Sequence, residues 1–451
     1  MPRADVVRVA VDWRRTLGPV PPRAFGLNLF RGFSLTGGPN EAAYRANVAY
    51  LAPGIVRYHH AGAMQDSRKA VEGLLNEANR TWDAAKIKRT LSVSLGAHQR
   101  PERMVNIPGW PAWMDKNGDG RLDPDQFDAY ARLCADLVRI VNRDARLGVR
   151  WWEVTNEKDD VYFTRFYENG GWGALKKPAE PDRVAELTDL FNRCARAMKQ
   201  ADPTIKVGGP AAARPDLVTF HERFLKGTLP NLDFFTFHAY ASGSAATSDE
   251  EIYDRASGMG GFVKAVVNMA RRLSPTRRIP VFLGEYNISW TWETRDPRMT
   301  NHKGVVFDAL ALTAACAAGA DGSLAWNEKD GIYGKTGNAD ERHPAASLFH
   351  LANSYLAPGE RVQSTTSNPK TVVAFAVRQP AQRRRALLLI NRSDAPQTVA
   401  LNVAGGGPLR TQNTVQHEIS AAGYAARPMN AAAAALILPP HSVTLLTTTG
   451  K

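Results

Sequence analysis

The sequence predicts a (β/α)8 barrel followed by a β-sandwich, and three observations carry that reading. Apolar strand-like runs alternate with amphipathic stretches between Phe25 and Ala352, the pattern of parallel βα units. Polar residues collect where those runs end, the face on which a barrel of this kind places its working groups. After Leu356 the texture changes to short alternating runs separated by Pro, Gly, Asn and Asp, which is an all-β pattern.

Taken in order, Val6–Trp13 alternates like a strand of that second texture, so it is expected to pair into the C-terminal module. The barrel strands are expected at Phe25–Phe30, Ile55–His59, Leu91–Leu95, Trp151–Thr155, Lys206–Gly209, Phe234–His238, Val281–Gly284 and Ser323–Trp326. Helices are expected at Ser67–Ala78, Gln126–Asn142, Arg183–Gln200, Leu217–Leu225, Glu250–Leu273, Gly304–Ala318 and Ala345–Ala352. No glycine-rich phosphate loop follows the first strand, which argues against an open doubly wound sheet. The sandwich strands are expected at Thr371–Val377, Arg385–Asn391, Thr398–Val403, Gln416–Ile419 and Ser442–Thr447. The division that results is 1–16 for the pairing strand, 17–356 for the barrel and 357–451 for the sandwich.

Composition narrows the class. A chain of 451 residues, 44% hydrophobic, can bury a core of this size. Its longest apolar tracts, Ala309–Ala318 and Ala431–Leu438, are too short to cross a bilayer, so no membrane partner is expected. The start of the chain shows no basic region leading into an apolar one, which fits a cytoplasmic protein and equally a secreted one whose signal has been removed. The three cysteines, Cys134, Cys194 and Cys316, are far apart and each falls in an expected helix, so they read as small buried hydrophobes. The net charge of +13 is spread along the chain apart from Arg383–Arg385, and no nucleic-acid partner is expected.

The strand ends supply the chemistry. They bring Asn28 and Arg31; Arg57, His59 and His60; His98 and Gln99; Asn156 and Glu157; His238 and Tyr240; Glu285 and Asn287; and Trp326, Asn327 and Glu328. Glu157 and Glu285 each close an apolar strand, and two carboxyls facing each other across a pocket are what glycosidic bond cleavage needs. Glu157 is expected as acid/base and Glu285 as nucleophile, with Arg57 beside Glu285 keeping it ionised. Asn156 is placed to hold a sugar 2-hydroxyl, and Trp290 and Trp326 offer flat faces for a sugar ring. His59, His98, His238 and Tyr240 complete the expected substrate-binding set. Glu328, the remaining strand-end carboxylate, is expected in an exposed loop.

Arg57-Tyr58-His59, Thr155-Asn156-Glu157, Asp233–Tyr240 with its His-x-Tyr, and Glu285-Tyr286-Asn287-Ile288-Ser289 resemble the retaining glycoside hydrolases of clan A. Within the clan they look most like family 39, the β-xylosidase and α-L-iduronidase family. The closing Leu438–Leu446 is similar to the last strand of the sandwich those enzymes append. The resemblance implies a double-displacement hydrolase of an oligo- or polysaccharide that requires no cofactor. It departs from the family at Thr155 and Lys158, where Trp and Pro are usual, and at His60, where glycine is usual; Lys158 could meet an anionic substrate group. Two other readings stay open: a non-catalytic carbohydrate-binding barrel, and a clan A hydrolase outside family 39 acting on an acidic polysaccharide.

A separate stretch, Asp115–Gln126, has oxygen donors at the spacing of a calcium loop: Asp115, Asn117, Asp119, the Arg121 carbonyl and Asp123. Gln126 stands where that loop has a bidentate glutamate. A structural calcium ion and an Asp/Asn/Gly-rich turn capping the next helix weigh evenly.

Overall fold

The computed structural model describes residues 6–30, 40–98, 102–164, 183–405, 409, 413–429 and 435–448; Arg31 and Gln99 lie outside these. The chain opens with β1 (Val7–Val20), then β2 (Phe25–Leu29), α1 (Glu41–Leu51), β3 (Ile55–Tyr58), a small hairpin of β4 (Leu75–Asn76) and β5 (Thr81–Trp82), α2 (Ala84–Ser94) and β6 (Glu102–Ile107). It continues through α3 (Phe127–Val138), β7 (Trp151–Val154), α4 (Val184–Ala201), β8 (Lys206–Ala212), α5 (Val218–Thr228), β9 (Phe234–Ser242) and α6 (Asp249–Leu273). β10 (Val281–Ser289), α7 (His302–Ala318), β11 (Gly322–Ala325) and α8 (Pro344–Tyr355) complete this part. β2, β3, β6, β7, β8, β9, β10 and β11 pair in that cyclic order as a closed parallel barrel, the (β/α)8 architecture expected.

Strand periodicity builds the barrel interior in layers. Ile55, Met104, Trp151, Phe234, Phe282 and Leu324 form a separate apolar cluster near the strands' N-terminal ends. Space there is tight enough to demand glycine on two strands: a Cβ on Gly26 would meet Ile55 at 2.5 Å, and one on Gly208 would meet the Phe234 carbonyl at 2.4 Å. Two residues further along the same strands, with side chains on the same face, stand Asn28, Arg57, Asn106, Glu153, Thr236 and Trp326. On β10 the register shifts between Leu283 and Glu285, which brings Glu285 opposite His238 of β9. The apolar plug thus supports a polar floor.

The third barrel strand differs from expectation. Leu91–Leu95 lies in and just after α2, because Ile87, Thr90, Leu91 and Ser94 bury one helical face and the Asp83 carboxylate caps the helix by accepting the Lys86 amide. The strand is Glu102–Ile107, which two charged residues at its start disguise. Ser67–Ala78 is not helical either. It wraps a turn in which the Asp66 carboxylate accepts the Arg68 amide, and it then enters the β4–β5 hairpin.

The remaining strands are β12 (Gly359–Thr366), β13 (Val372–Gln379), β14 (Arg384–Asn391), β15 (Gln397–Ala404), β16 (Thr414–Ser420), β17 (Gly423–Pro428), β18 (Leu436–Leu438) and β19 (Ser442–Thr448). They hydrogen-bond in the order β17-β16-β19-β14-β13-β12-β1-β15-β18. One apolar cluster joins Val7, Val9 and Val11 of β1 with Leu387 and Leu389 of β14, Val399 of β15, Leu438 of β18 and Leu446 of β19, so the sheet folds over its own inner face. The alternate residues Leu388 and Ile390 of β14 and Val443 and Leu445 of β19 join the barrel's core instead. No helix among the described residues is long and apolar enough to cross a membrane.

Candidate active site

Arg57 organises the mouth of the barrel. Fully buried at the end of β3, it donates from Nε to Glu153 at 2.7 Å, from one terminal nitrogen to Asn28 at 2.8 Å and Glu285 at 2.7 Å, and from the other to Asn156 at 2.8 Å. A guanidinium shared by two buried carboxylates keeps its proton firmly: burial opposes its charge, but Glu153 and Glu285 more than offset that. Asn28 is held in turn by donating to the Gly284 carbonyl at 2.9 Å.

Glu285 receives three polar contacts. Arg57 and the Tyr240 hydroxyl donate to its two oxygens, each at 2.7 Å, and His238 Nε2 stands 3.7 Å away. Burial pushes this carboxyl up, yet His238, Arg57 and the Tyr240 hydrogen bond overcome it and hold the pKa at about 2. Glu157 is the more open of the pair, with a quarter of its side chain exposed, and its carboxylate lies 2.8 Å from His238 Nδ1. His238 is fully buried between the two glutamates; burial lowers its pKa but Glu285 and Glu157 raise it more, so it is held toward the imidazolium. One oxygen of Glu157 and one of Glu285 lie within 4.8 Å of each other. These atoms with His238 are also spaced for a cation, but both oxygens of Glu285 are already engaged, one by the Arg57 cation.

Of the other expected binding residues, His59 is at the site, with Nδ1 2.7 Å from Asn106 Oδ1 and its ring 5.6 Å from that of Trp326. Burial and the Arg57 charge bring its pKa down to about 3, so it is neutral. Trp326 forms one side of an aromatic wall with Phe30 and Trp292, at ring distances of 5.3 and 6.4 Å. Trp290 packs over Gly243 and lines a cavity of about 380 Å³ that Tyr240 also borders.

Two expectations, His98 and Glu328, need correction. His98 precedes β6, so it sits at the strand's opposite end, buried against the edge of the Tyr44 ring. Asn106 takes the expected place, donating to Glu153 at 2.6 Å and to the Thr155 carbonyl at 2.8 Å. Glu328 is buried, not exposed, and accepts the Phe30 amide at 2.7 Å. Lys158 directs its ammonium over the Trp110 ring, 4.6 Å from the centroid; burial lowers its pKa against the opposing pull of Asp115, Asp160 and Glu157.

The residues that sequence reading missed are Asn106, Glu153 and Trp292. Glu153 carried a signal: a lone charge two residues from Trp151, on the face that points into the barrel. Trp292, 44% exposed, carried none beyond its type.

In the Asp115–Gln126 loop the carboxylates turn on their own backbone. Asp115 accepts the Asp119 and Gly120 amides at 3.2 and 2.9 Å, Asp123 accepts the Lys116 amide at 3.2 Å, and Asp119 pairs with Arg121. Asn117 accepts a second bond from the Asp119 amide, and Gln126 donates to Asp125. Among the described residues, Glu157, His238 and Glu285 are the one group of three or more His, Cys, Asp or Glu whose ligand atoms converge.

Residues 180–329 match the profile described as Glycosyl hydrolases family 39, and residues 369–446 match that of the D-apionate lactonase C-terminal immunoglobulin-like domain. The first match contains His238, Tyr240, Glu285, Trp290 and Trp326; Arg57, Asn156 and Glu157 precede it. No curated protein matches the chain. Among solved structures, a monomeric β-xylosidase from Caulobacter crescentus CB15 superposes with a TM-score of 0.67 at 18% identity over 98% of this chain and 99% of that one. A family 39 enzyme from Xanthomonas axonopodis pv. citri gives 0.67 at 17% identity over 100% of both chains. A family 51 arabinofuranosidase from the same organism gives 0.68 at 15% identity over 98% of this chain and 100% of that one. These structural likenesses establish the shared fold, and the sequence match puts a resemblance to the glycosyl hydrolases of family 39 on the stretch that carries Glu285.

Proposed function

We propose that the enzyme cleaves O-glycosidic bonds of an oligo- or polysaccharide with retention of configuration, Glu285 acting as nucleophile and Glu157 as acid/base. The observation that carries this reading is the approach of the two carboxylates to within 4.8 Å between oxygens. Retaining enzymes hold their carboxyl groups about 5–5.5 Å apart, whereas inverting ones leave about 6.5–9.5 Å for a water. In the first step Glu285 attacks the anomeric carbon as Glu157 gives its proton to the departing oxygen. In the second, Glu157 takes a proton from water as that water displaces Glu285 from the sugar.

The surroundings suit each role. Arg57, His238 and Tyr240 keep Glu285 ionised and aimed. Arg57 occupies Asn156 Oδ1, which leaves the amide nitrogen to donate to the sugar's 2-hydroxyl. Trp326, Phe30 and the exposed Trp292 form an apolar wall against which a sugar ring can lie. The similar solved enzymes named for xylosides and arabinofuranosides make pentosides the first substrates to screen.

The test pairs two variants. Glu285→Ala should lose nearly all hydrolysis, and azide should restore turnover to a glycosyl azide of inverted configuration. Glu157→Ala should lose about 10²–10⁴-fold on a substrate with a poor leaving group and keep most activity on a dinitrophenyl glycoside. Ordinary activity of either variant on an unactivated substrate would remove the assignment, and a chain that binds oligosaccharide without cleaving any glycoside would favour the binding-barrel reading.

A further inference from the structure

Glu157 sits on an improbable piece of backbone. Thr155 and Glu157 have φ of +68° and +53°, and Ala211 at the facing end of β8 has +51°. None is glycine, and side chains crowd the backbone in this left-handed region, so each position needs outside support. Part of it is main-chain: the Glu157 amide donates to the Ala211 carbonyl at 2.8 Å. Asn106 holds the Thr155 carbonyl at 2.8 Å, and Asp159 adds a tie between the two strand ends. Its two oxygens accept the consecutive amides of Ala213 and Arg214 at 2.9 and 3.0 Å, which ties the turn after β7 to the turn after β8 on either side of the catalytic carboxyl.

Asp159 is 1% exposed, and its partners among the described residues are backbone amides. A buried carboxylate without a counter-ion is costly unless amides satisfy it. A side chain kept there despite that cost holds geometry. The family resemblance has proline where Lys158 stands, and proline would itself restrict this turn. In this chain the restriction comes from the residue after Lys158.

We propose that Asp159 is a positioning residue for Glu157: it locks the two strand-end turns together so that the acid/base carboxyl stays in reach of the departing oxygen. The inference rests on Glu157 being the acid/base. Loss of the clamp should cost most where proton donation matters most, since a displacement of about 1 Å can cost ~10²-fold in rate.

The experiment compares Asp159→Asn with the parent and with Glu157→Gln on a series of aryl glycosides of rising leaving-group pKa. In Asp159→Asn one amide meets an NH2 in place of an acceptor oxygen. The expected result is a fall in kcat of about 10- to 100-fold for the poorest leaving group, little change for the dinitrophenyl glycoside, and a steeper dependence of log kcat on leaving-group pKa. An equal fall on every substrate, or no fall on any, overturns the proposal while Glu157→Gln, if its own dependence is steep, keeps the acid/base assignment. A flat dependence in Glu157→Gln overturns both. If Asp159→Asn does not fold, Asp159→Ser, which fits the same space and can accept one amide, is read in the same way. If neither folds, Asp159 is a folding residue and the proposal falls.

Discussion

At the scale of single residues, the site is a problem in placing buried charge. Arg57, Glu153 and Glu285 together carry one more negative charge than positive in a region closed to water, and His238 supplies the missing positive charge from 3.7 Å. Among the groups that hold Glu285 below its ordinary value of 4.5, His238 contributes most. Two consequences follow for pH. A carboxyl whose pKa falls on folding adds stability that is fully present above its unfolded value of 4.5 and is lost as pH drops through about 2. The acidic limb of kcat/KM is therefore expected well below 4.5, and His238→Gln should move it upward by removing the group that lowers it most. Profiles of both proteins on a dinitrophenyl glycoside, which needs no proton from Glu157, check this; an unmoved limb would show that His238 does not set the nucleophile's charge. The strand-end rule pointed to Arg57, His238 and Glu285 in the sequence. Glu153 was passed over as a lone charge inside an otherwise apolar run, and Asn106 because its strand was assigned elsewhere.

At the scale of elements, the working layer is only as well placed as the apolar layer beneath it. Gly208 of β8 lets Phe234 of β9 lie flat in the plug, and a methyl group there would meet the Phe234 carbonyl at 2.4 Å and its ring at 2.6 Å. Backbone cannot yield as a flexible side-chain tip can. Gly208→Ala should therefore destabilise the fold by about 1–3 kcal/mol, the usual cost of overpacking. Because Thr236 and His238 follow Phe234 on the same strand, it should also slow turnover; denaturant melts and kcat measured together read both effects. The same elements show why the third strand was misplaced. Leu91–Leu95 is an apolar run of strand length, and only its continuation backward through Ile87 to the Asp83 cap reveals a helix. The true strand carries Glu102, which pairs with Arg23, and Arg103, which donates to the His98 carbonyl at 2.9 Å; neither partner is visible from local pattern.

At the scale of the whole molecule, alternation of strands and helices made the barrel legible, and the change of texture after Leu356 marked where the sheet module begins. Three of the module's strands escaped notice for physical reasons. β12 is mostly polar, β17 is exposed along its whole length, and β18 is three residues long. The first strand binds the two parts together. β1 pairs in parallel with β15 from Val7 to Asp12 and antiparallel with β12 from Val9 to Val20, so it is the one link between the β12 side and the β15 side of the sheet order. Val7, Val9, Val11 and Trp13 are all nearly or wholly buried in the module's inner cluster. Removing residues 1–13 would expose two strand edges at once and strip four large apolar side chains from one core, each worth about 1.5–3 kcal/mol of burial. That sum is comparable to the whole stability of an ordinary domain. The β-module should lose its cooperative melting transition, and α7, which packs against β19 and β14, should lose its cover. Calorimetry of the truncated chain checks this: a parent-like single transition would show that β1 is an accessory strand, whereas early unfolding of the module with loss of glycosidase activity would show that the chain's first strand completes the enzyme.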